Sequence, residues 1–558
     1  MAAALSARDR SPWWRGAVIY EVYPRSFADA DGDGVGDLRG IIERMPYLAS
    51  LGVDGIWLTP FQPSPQVDQG YDISDYCDID PLFGTLDDFD GLLSAAHHAD
   101  IRVLVDIVPN HTSTAHPLFR RAVATASGSP ERALFHFATG RGMNHEQPPN
   151  NWVSVFGGSA WARDSHQDAD DPQWYLHLFS AAQPDWNWEN PQVHDDFDAV
   201  LRFWFDRGVD GVRIDVAHGL YKHAGLRDSP TVPALTDGLR SNPLVMDQEP
   251  VHDVYRRWRR LADDYDPPRL LVGEVNLEPP RAARYTRSDE LHQSFAFAFA
   301  RLGWDAAAWV EVGNELERAR AAESSTLTWA LENHDLVRTP TRFGGGPLGA
   351  QRARAALIAL LGLPGAVYVY QGQELGLPEV DVPAGQRADP MWRQGGVSRD
   401  GARVPIPWTV SPELDHGFSS HPTEGSWLPV PAGWGAFAVA RQSEDTDSTL
   451  ALFRSATRRR RELTGQGVLD PDATTVWRLR PSGLVECARS DGVSVFIAMG
   501  DGPAELPAGD VLLSSIPLGP GQALSAGGTA WSRRTPHATT TPLPSFAGQT
   551  HRPVLGVR

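Results

Sequence analysis

Four short apolar runs in this chain each lead into an acid: Asp106 in VLVDIVPNH, Asp215 in GVRIDVAHG, Glu274 in LLVGEVN and Asp335 in LTWALENHD. Each acid is followed by a break into polar residues. Such a run reads as a strand buried on both faces, so the acid at its end lies at the edge of a core, where an unpaired charge is costly. Four repeats of that arrangement are hard to explain as packing and point to chemistry. Cleavage of a glycosidic bond needs this equipment: one carboxylate to attack carbon and one carboxylic acid to protonate the leaving oxygen.

The elements that would position these acids alternate along the chain. AVIYEVY (17–23), DGIWLTP (54–60) and IRVLVDIV (101–108) read as strands, with further strands expected at 210–215, 269–274, 292–298, 326–331 and 366–370. Helical spacing intervenes, as at Leu86, Phe89, Leu93 and Ala96. Eight strand–helix units predict an α/β fold, a closed parallel (β/α)8 barrel whose chemistry sits at the C-terminal strand ends, where the four acids lie. No glycine-rich phosphate loop accompanies the pattern, which argues against an open nucleotide-binding sheet. The stretch 109–188, rich in Trp, Asn, Gly and His, is too long for a barrel loop and reads as an inserted domain after the third strand. The barrel is then expected over 1–108 and 189–465. Short strands separated by Asp-Gly turns over 466–533 predict a C-terminal antiparallel β-sandwich, and 534–558 a loose tail.

Bulk properties narrow the partners. A net charge of −20 over 558 residues leaves nothing to offset phosphate repulsion, so neither nucleic acid nor an anionic membrane is expected. Cys77 and Cys487 are far apart and read as free thiols, and no signal-peptide core or membrane-spanning run is visible, so a cytoplasmic location is expected. Lys222 is the only lysine; Arg supplies the remaining positive charge, a bias that reads as codon usage.

The segments DIVPNH (106–111), GVRIDVAHG (211–219), GEV (273–275) and ENHD (332–335) resemble, in order and spacing, the four conserved regions of glycoside hydrolase family 13, the α-amylase family. QPDWN (183–187) resembles the QPDLN stretch of its oligo-1,6-glucosidase and α-glucosidase branch, with Trp186 where Leu is usual. RDGARVPIPW (399–408) and YLHLFSAAQPDWNW (175–188) resemble bacterial α-glucosidases of that branch. The resemblance implies an exo-acting retaining α-glucosidase acting on short oligosaccharides. In it Asp215 is the nucleophile, Glu274 the acid/base and Asp335 the third carboxylate, gripping sugar hydroxyls. His111 and His334 would hydrogen-bond the same sugar, and Asp106 and Asn110 would support the site. Arg213, two residues before Asp215 on the same strand, should keep that carboxylate ionised, whereas Glu274 should sit in a drier setting to retain its proton.

Asp68 and Tyr71 in VDQGYDISDY match positions that hold the terminal glucose in exo-acting members, and Arg403 resembles the arginine paired with that Asp. In DADGDGVGD (29–37), oxygens of Asp29, Asp31, Asp33, the Val35 carbonyl and Asp37 resemble the first part of a calcium loop, with Gly40 where an EF-hand has its twelfth-position Glu. The ion would be structural; no organic cofactor is implied. Alternatives are an oligo-1,6-glucosidase, a sucrose-cleaving transferase or isomerase, a trehalose-phosphate hydrolase, for which no basic cluster is visible, and a non-catalytic transporter-associated heavy chain, which would carry a membrane helix. Val216, after the nucleophile, favours α-1,6 bonds in parts of the branch, but the following AHG departs from that pattern. The oligomeric state is not legible.

Overall fold

The structure is a computed structural model that describes residues 12–164, 173–230, 242–421 and 425–534. Eight parallel strands surround the core: β1 (Val18–Val22), β2 (Gly55–Leu58), β3 (Arg102–Ile107), β7 (Gly211–Ile214), β8 (Leu270–Gly273), β9 (Gln293–Ser294), β10 (Thr328–Trp329) and β11 (Ala366–Tyr370). Neighbours in space follow chain order, and β11 pairs in parallel with β1. The Ala296 N–H donates to the Thr328 carbonyl (3.0 Å), joining the β9 and β10 segments and closing the barrel.

The expected strands are present, but the fifth to eighth are uneven. Only two residues of 292–298 and two of 326–331 pair as strand, because Phe297–Ala300 turns into a short helix. The central strands are longer and are buried along nearly their whole length, which is why they read as continuous apolar runs. Between β2 and β3 the helix Leu86–His98 begins at a capping box of Thr85 and Asp88 and turns Phe89, Leu93 and Ala96 into the core.

Between β3 and β7 the chain forms a three-stranded antiparallel sheet, β4 (Phe137–Thr139), β5 (Trp161–Arg163) and β6 (Gln173–Leu176), with β6 central. At the C-terminus β12 (Thr475–Arg480), β13 (Leu484–Arg489), β14 (Val493–Ala498), β16 (Asp510–Ser514) and β18 (Thr529–Arg533) form a five-stranded antiparallel sheet, and β15 (Ala504–Glu505) and β17 (Ala523–Leu524) form a second ribbon. The helix Gly346–Gly362 holds this domain: Trp531 Nε1 donates to the Ile358 carbonyl (2.9 Å), and a Cβ on Gly362 would lie 2.5 Å from that ring nitrogen. Of the expected tail, all but Arg534 lies outside the described residues.

Cys77 and Cys487 are free thiols. Among the described residues no helix is long and apolar enough to cross a membrane.

Candidate active site

Parallel register brings the strand-end acids together. Asp106 on β3 lies beside Arg213 on β7, whose other neighbour is Val272 on β8, one residue below the end that leads to Glu274. Arg213 is 1% exposed and is the hub of the site. Its Nη1 donates to both Asp106 oxygens (3.1 Å each) and to Asp215 Oδ1 (2.6 Å), and its Nη2 donates to Glu274 Oε2 (2.8 Å). The planar fork suits this task, because one rigid cation addresses carboxylates from three strand ends. Trp57 lies 5.0 Å from the guanidinium and also donates its Nε1–H to Asp106 (3.3 Å).

The setting of the two central acids differs from the sequence expectation. Glu274 is the wetter of the two, with 18% of its side chain exposed against 9% for Asp215. Burial raises Asp215 well above the usual carboxylate range, outweighing the pull of Arg213. Burial also raises Glu274, but there the Arg213 guanidinium and the Val216 N–H (3.1 Å from Oε2) prevail and leave it lowered. One cation thus faces Asp106, Asp215 and Glu274, and burial raises Asp106 as well, to about 7.

At the far end of the pocket the arginine expected to meet Asp68 is a different one. Arg399, not Arg403, reaches Asp68, from Nη2 to Oδ1 (3.2 Å). Arg399 also contacts Asp335 (3.1 Å) and grips Asp389 through both Nη2 (2.8 Å) and Nε (2.9 Å). Arg403 meets Asp335 (2.6 Å), the His334 carbonyl (2.9 Å) and the Gln69 side chain. The turn Asp400–Ala402 sets the two arginines on the same Asp335 oxygen, Oδ1. Burial would raise Asp335, but His334, Arg399 and Arg403 hold it far below the usual range. Asp68 responds differently. Burial pushes it up to about 6 despite Arg399, and Gln183 Nε2 donates to its second oxygen (3.0 Å).

The remaining expected residues converge on the same space. The Tyr71 ring stacks on His334 (5.4 Å), and its hydroxyl lies 3.2 Å from Asp106 Oδ2 and 2.9 Å from His334 Nε2. His111 is buried between Asn110 (3.0 Å) and Gln183 (3.2 Å), and burial followed by the nearby Lys222 charge pushes it down to about 3, so its ring is neutral. Asn110 in turn accepts from Lys222 Nζ (2.8 Å), which also pairs with Asp185 (2.9 Å) and donates to the Gly219 carbonyl (2.5 Å). That ammonium ties the β3 end, the inserted segment and the loop after β7 together.

Two of these partners escaped the sequence reading, as did Glu21 of β1, whose Oε1 lies 2.6 Å from His334 Nδ1. Arg399 was one of two arginines four residues apart, with nothing in the string to say which turns inward. Lys222 was visible as the single lysine of an arginine-rich chain, an exception to a bias that its buried pair with Asp185 now explains. Glu21 was visible as the only acid inside the β1 run.

In the loop after β1, one carboxylate oxygen each from Asp29, Asp31 and Asp37 lies within 4.8 Å of the others. Asp33 stands outside this trio; its carboxylate accepts from the Val35 N–H (2.8 Å), as Asp29 accepts from the Gly32 (2.6 Å) and Gly34 (2.9 Å) N–H groups. Asp37 also caps the helix Leu38–Glu43 by accepting from the Gly40 N–H (2.7 Å). Gly34 is required at the turn: its φ is +90°, and a Cβ there would meet the Gly425 carbonyl at 2.4 Å. An all-carboxylate set that is partly buried, with burial and then Asp31 repulsion raising Asp37, fits a hard divalent cation.

Residues 21–466 match the family described as Alpha amylase, catalytic domain. The chain belongs to the α-amylase family. It is 40% identical over 464 residues to a probable alpha-glucosidase of Rhizobium meliloti (strain 1021), covering 79% of this chain and 81% of that protein. It is 33% identical over 497 residues to an oligo-1,6-glucosidase of Parageobacillus thermoglucosidasius, covering 81% and 84%. Among solved structures it is similar to the alpha-glucosyl transfer enzyme XgtA, at 35% identity and a TM-score of 0.84 over 94% of this chain and 100% of that one. As a member of the α-amylase family the protein is a glycoside hydrolase, built on the barrel described above.

Proposed function

We propose that this family member is an exo-acting, retaining α-glucosidase that removes single terminal glucose units from short α-linked saccharides. The observation that carries this reading is Arg399. One guanidinium contacts Asp68, Asp335 and Asp389, and in this reading that cluster closes the site beyond the terminal sugar.

In this reading Asp215 attacks the anomeric carbon while Glu274 gives its proton to the departing glycosidic oxygen, so one C–O bond forms as the other breaks. A water, deprotonated by Glu274, then releases the sugar from Asp215. Two carboxylates held by the two ends of one guanidinium agree with the short separation, roughly 5 Å, that retaining enzymes use. Asp335, Asp68, His111, His334 and Tyr71 hold the hydroxyls, Arg403 fixes Asp335, and Asp106 and Asn110 brace Arg213 and Lys222.

The test is the first product. The enzyme should release glucose singly from maltose-series oligosaccharides, initially as the α-anomer, and act poorly on soluble starch. Maltotriose and longer fragments appearing first would overturn the closed pocket; β-glucose would overturn the retaining mechanism. The same measurement across maltose, isomaltose and sucrose assigns the bond that is cut, which Val216 alone does not.

We further propose that Asp29, Asp31 and Asp37 hold a structural calcium ion. Because the unfolded chain has no such cluster, calcium should raise the melting temperature of a metal-stripped preparation by mass action, with little change in kcat. A melting curve that calcium leaves unmoved would reduce the loop to an ordinary turn.

A further inference from the structure

Glu21 is an acid where the fold asks for none. It lies inside β1, paired in parallel with Trp57 of β2 and Tyr370 of β11, and it is 1% exposed. A carboxylate there is costly unless something receives it. His334 does: its Nδ1 lies 2.6 Å from Glu21 Oε1, and its backbone N–H approaches the same oxygen (3.4 Å). The imidazole is also held flat between two rings, stacking on Tyr23 at 5.7 Å and on Tyr71 at 5.4 Å. Its second nitrogen, Nε2, faces the Tyr71 hydroxyl (2.9 Å) and Asp335 Oδ2 (3.6 Å).

These contacts form a line from the strand interior to the pocket. Glu21 is sealed at one end, while 32% of the Asp335 side chain is exposed at the other. A polar pair that served only the core would have core partners on both imidazole nitrogens. Here one nitrogen is bound to Glu21 and the other meets Tyr71 and Asp335, both residues of the candidate sugar site.

We propose that Glu21 is a positioning residue for glycoside cleavage. By accepting the Nδ1–H of His334 it fixes the ring, and so presents Nε2 to Tyr71, Asp335 and the reacting sugar. The inference rests on the glucosidase reading of this site. Stacking alone leaves the imidazole free to turn over in its own plane, exchanging nitrogen for carbon at the pocket edge. The Glu21 contact removes that freedom.

The experiment compares wild type with Glu21→Leu and Glu21→Gln, reading kcat and KM on an aryl α-glucoside, affinity for a glucose-shaped iminosugar, and the melting curve. A ring misplaced in the transition state should lower kcat roughly ten- to a hundredfold with KM changed by less than about threefold. Iminosugar affinity should fall with kcat/KM. The Gln variant, whose amide oxygen still accepts from Nδ1–H, should recover most of the loss. In a His334→Ala background Glu21→Leu should cost little further, because Glu21 acts through the ring.

Where the leucine variant does not fold, Glu21→Met replaces it. A folded apolar variant with wild-type kcat, an equal loss in Glu21→Gln, or additive losses with His334→Ala would each overturn the proposal. Failure of wild type to cleave any α-glucoside would instead sink the glucosidase reading beneath it.

Discussion

Asp215→Ala is expected to lower kcat by roughly four orders of magnitude or more, about 5.4 kcal/mol of lost transition-state stabilisation, while the protein stays folded. The asymmetry between activity and stability follows from the site. Asp106, Asp215 and Glu274 compete for Arg213, and burial raises both Asp106 and Asp215 above their ordinary range. Removing Asp215 leaves two acids for that one cation, so the melting temperature should hold or rise. Glu274→Gln should fail in a distinguishable way, because its amide has no proton to give a poor leaving group. Aryl glucosides with acidic phenols should be spared relative to maltose in that variant, and not in Asp215→Ala. Either variant retaining more than about a tenth of wild-type turnover on maltose would remove that residue from the reaction.

The second large effect is expected at Arg399. Arg399→Ala takes the cation from three acids at once. Asp335 keeps Arg403 and Asp68 keeps Gln183, but buried Asp389 loses the guanidinium that gripped both its oxygens. Removing one partner of a buried pair costs on the order of 3–5 kcal/mol, and here the terminal-glucose site would loosen with it. KM for maltose should rise steeply and the melting temperature should fall. Arg399→Lys should recover little, because an ammonium offers no planar fork to reach Asp68, Asp335 and Asp389 together. Arg403→Ala should leave Asp68 paired and disturb Asp335 and His334 instead, raising the cost mainly in kcat. If Arg403→Ala loosens terminal-glucose binding while Arg399→Ala does not, the assignment of the two arginines is reversed.

What could be read from the string follows from how each feature is encoded. β3, β7 and β8 were legible because strands buried on both faces are apolar throughout, and their terminal acids break that run. β9 and β10 were placed but overextended, since the apolar residues of 295–299 serve the Phe297–Ala300 turn equally well. The reach of a long side chain is not written in spacing. Arg399 and Arg403 both flank the turn Asp400–Ala402, and only the fold decides which of them meets Asp68. Which of the two acids sits drier was misread for a related reason: Glu274 is 18% exposed against 9% for Asp215. The identities of Asp215 and Glu274 carry no record of the Val216 N–H and the Arg213 arm that draw Glu274 down. In the calcium-like loop the alternate-position pattern included Asp33, whose carboxylate folds back onto its own turn.

Lys222 has a practical corollary. The ammonium that joins Asn110, Gly219 and Asp185 is fully buried, and it is the only lysine in 558 residues. Reagents that seek lysine side chains therefore find none to modify on the folded surface of these 558 residues. The catalytic mouth stays clear of lysine adducts, and any lysine introduced by substitution becomes a single, chosen point of attachment.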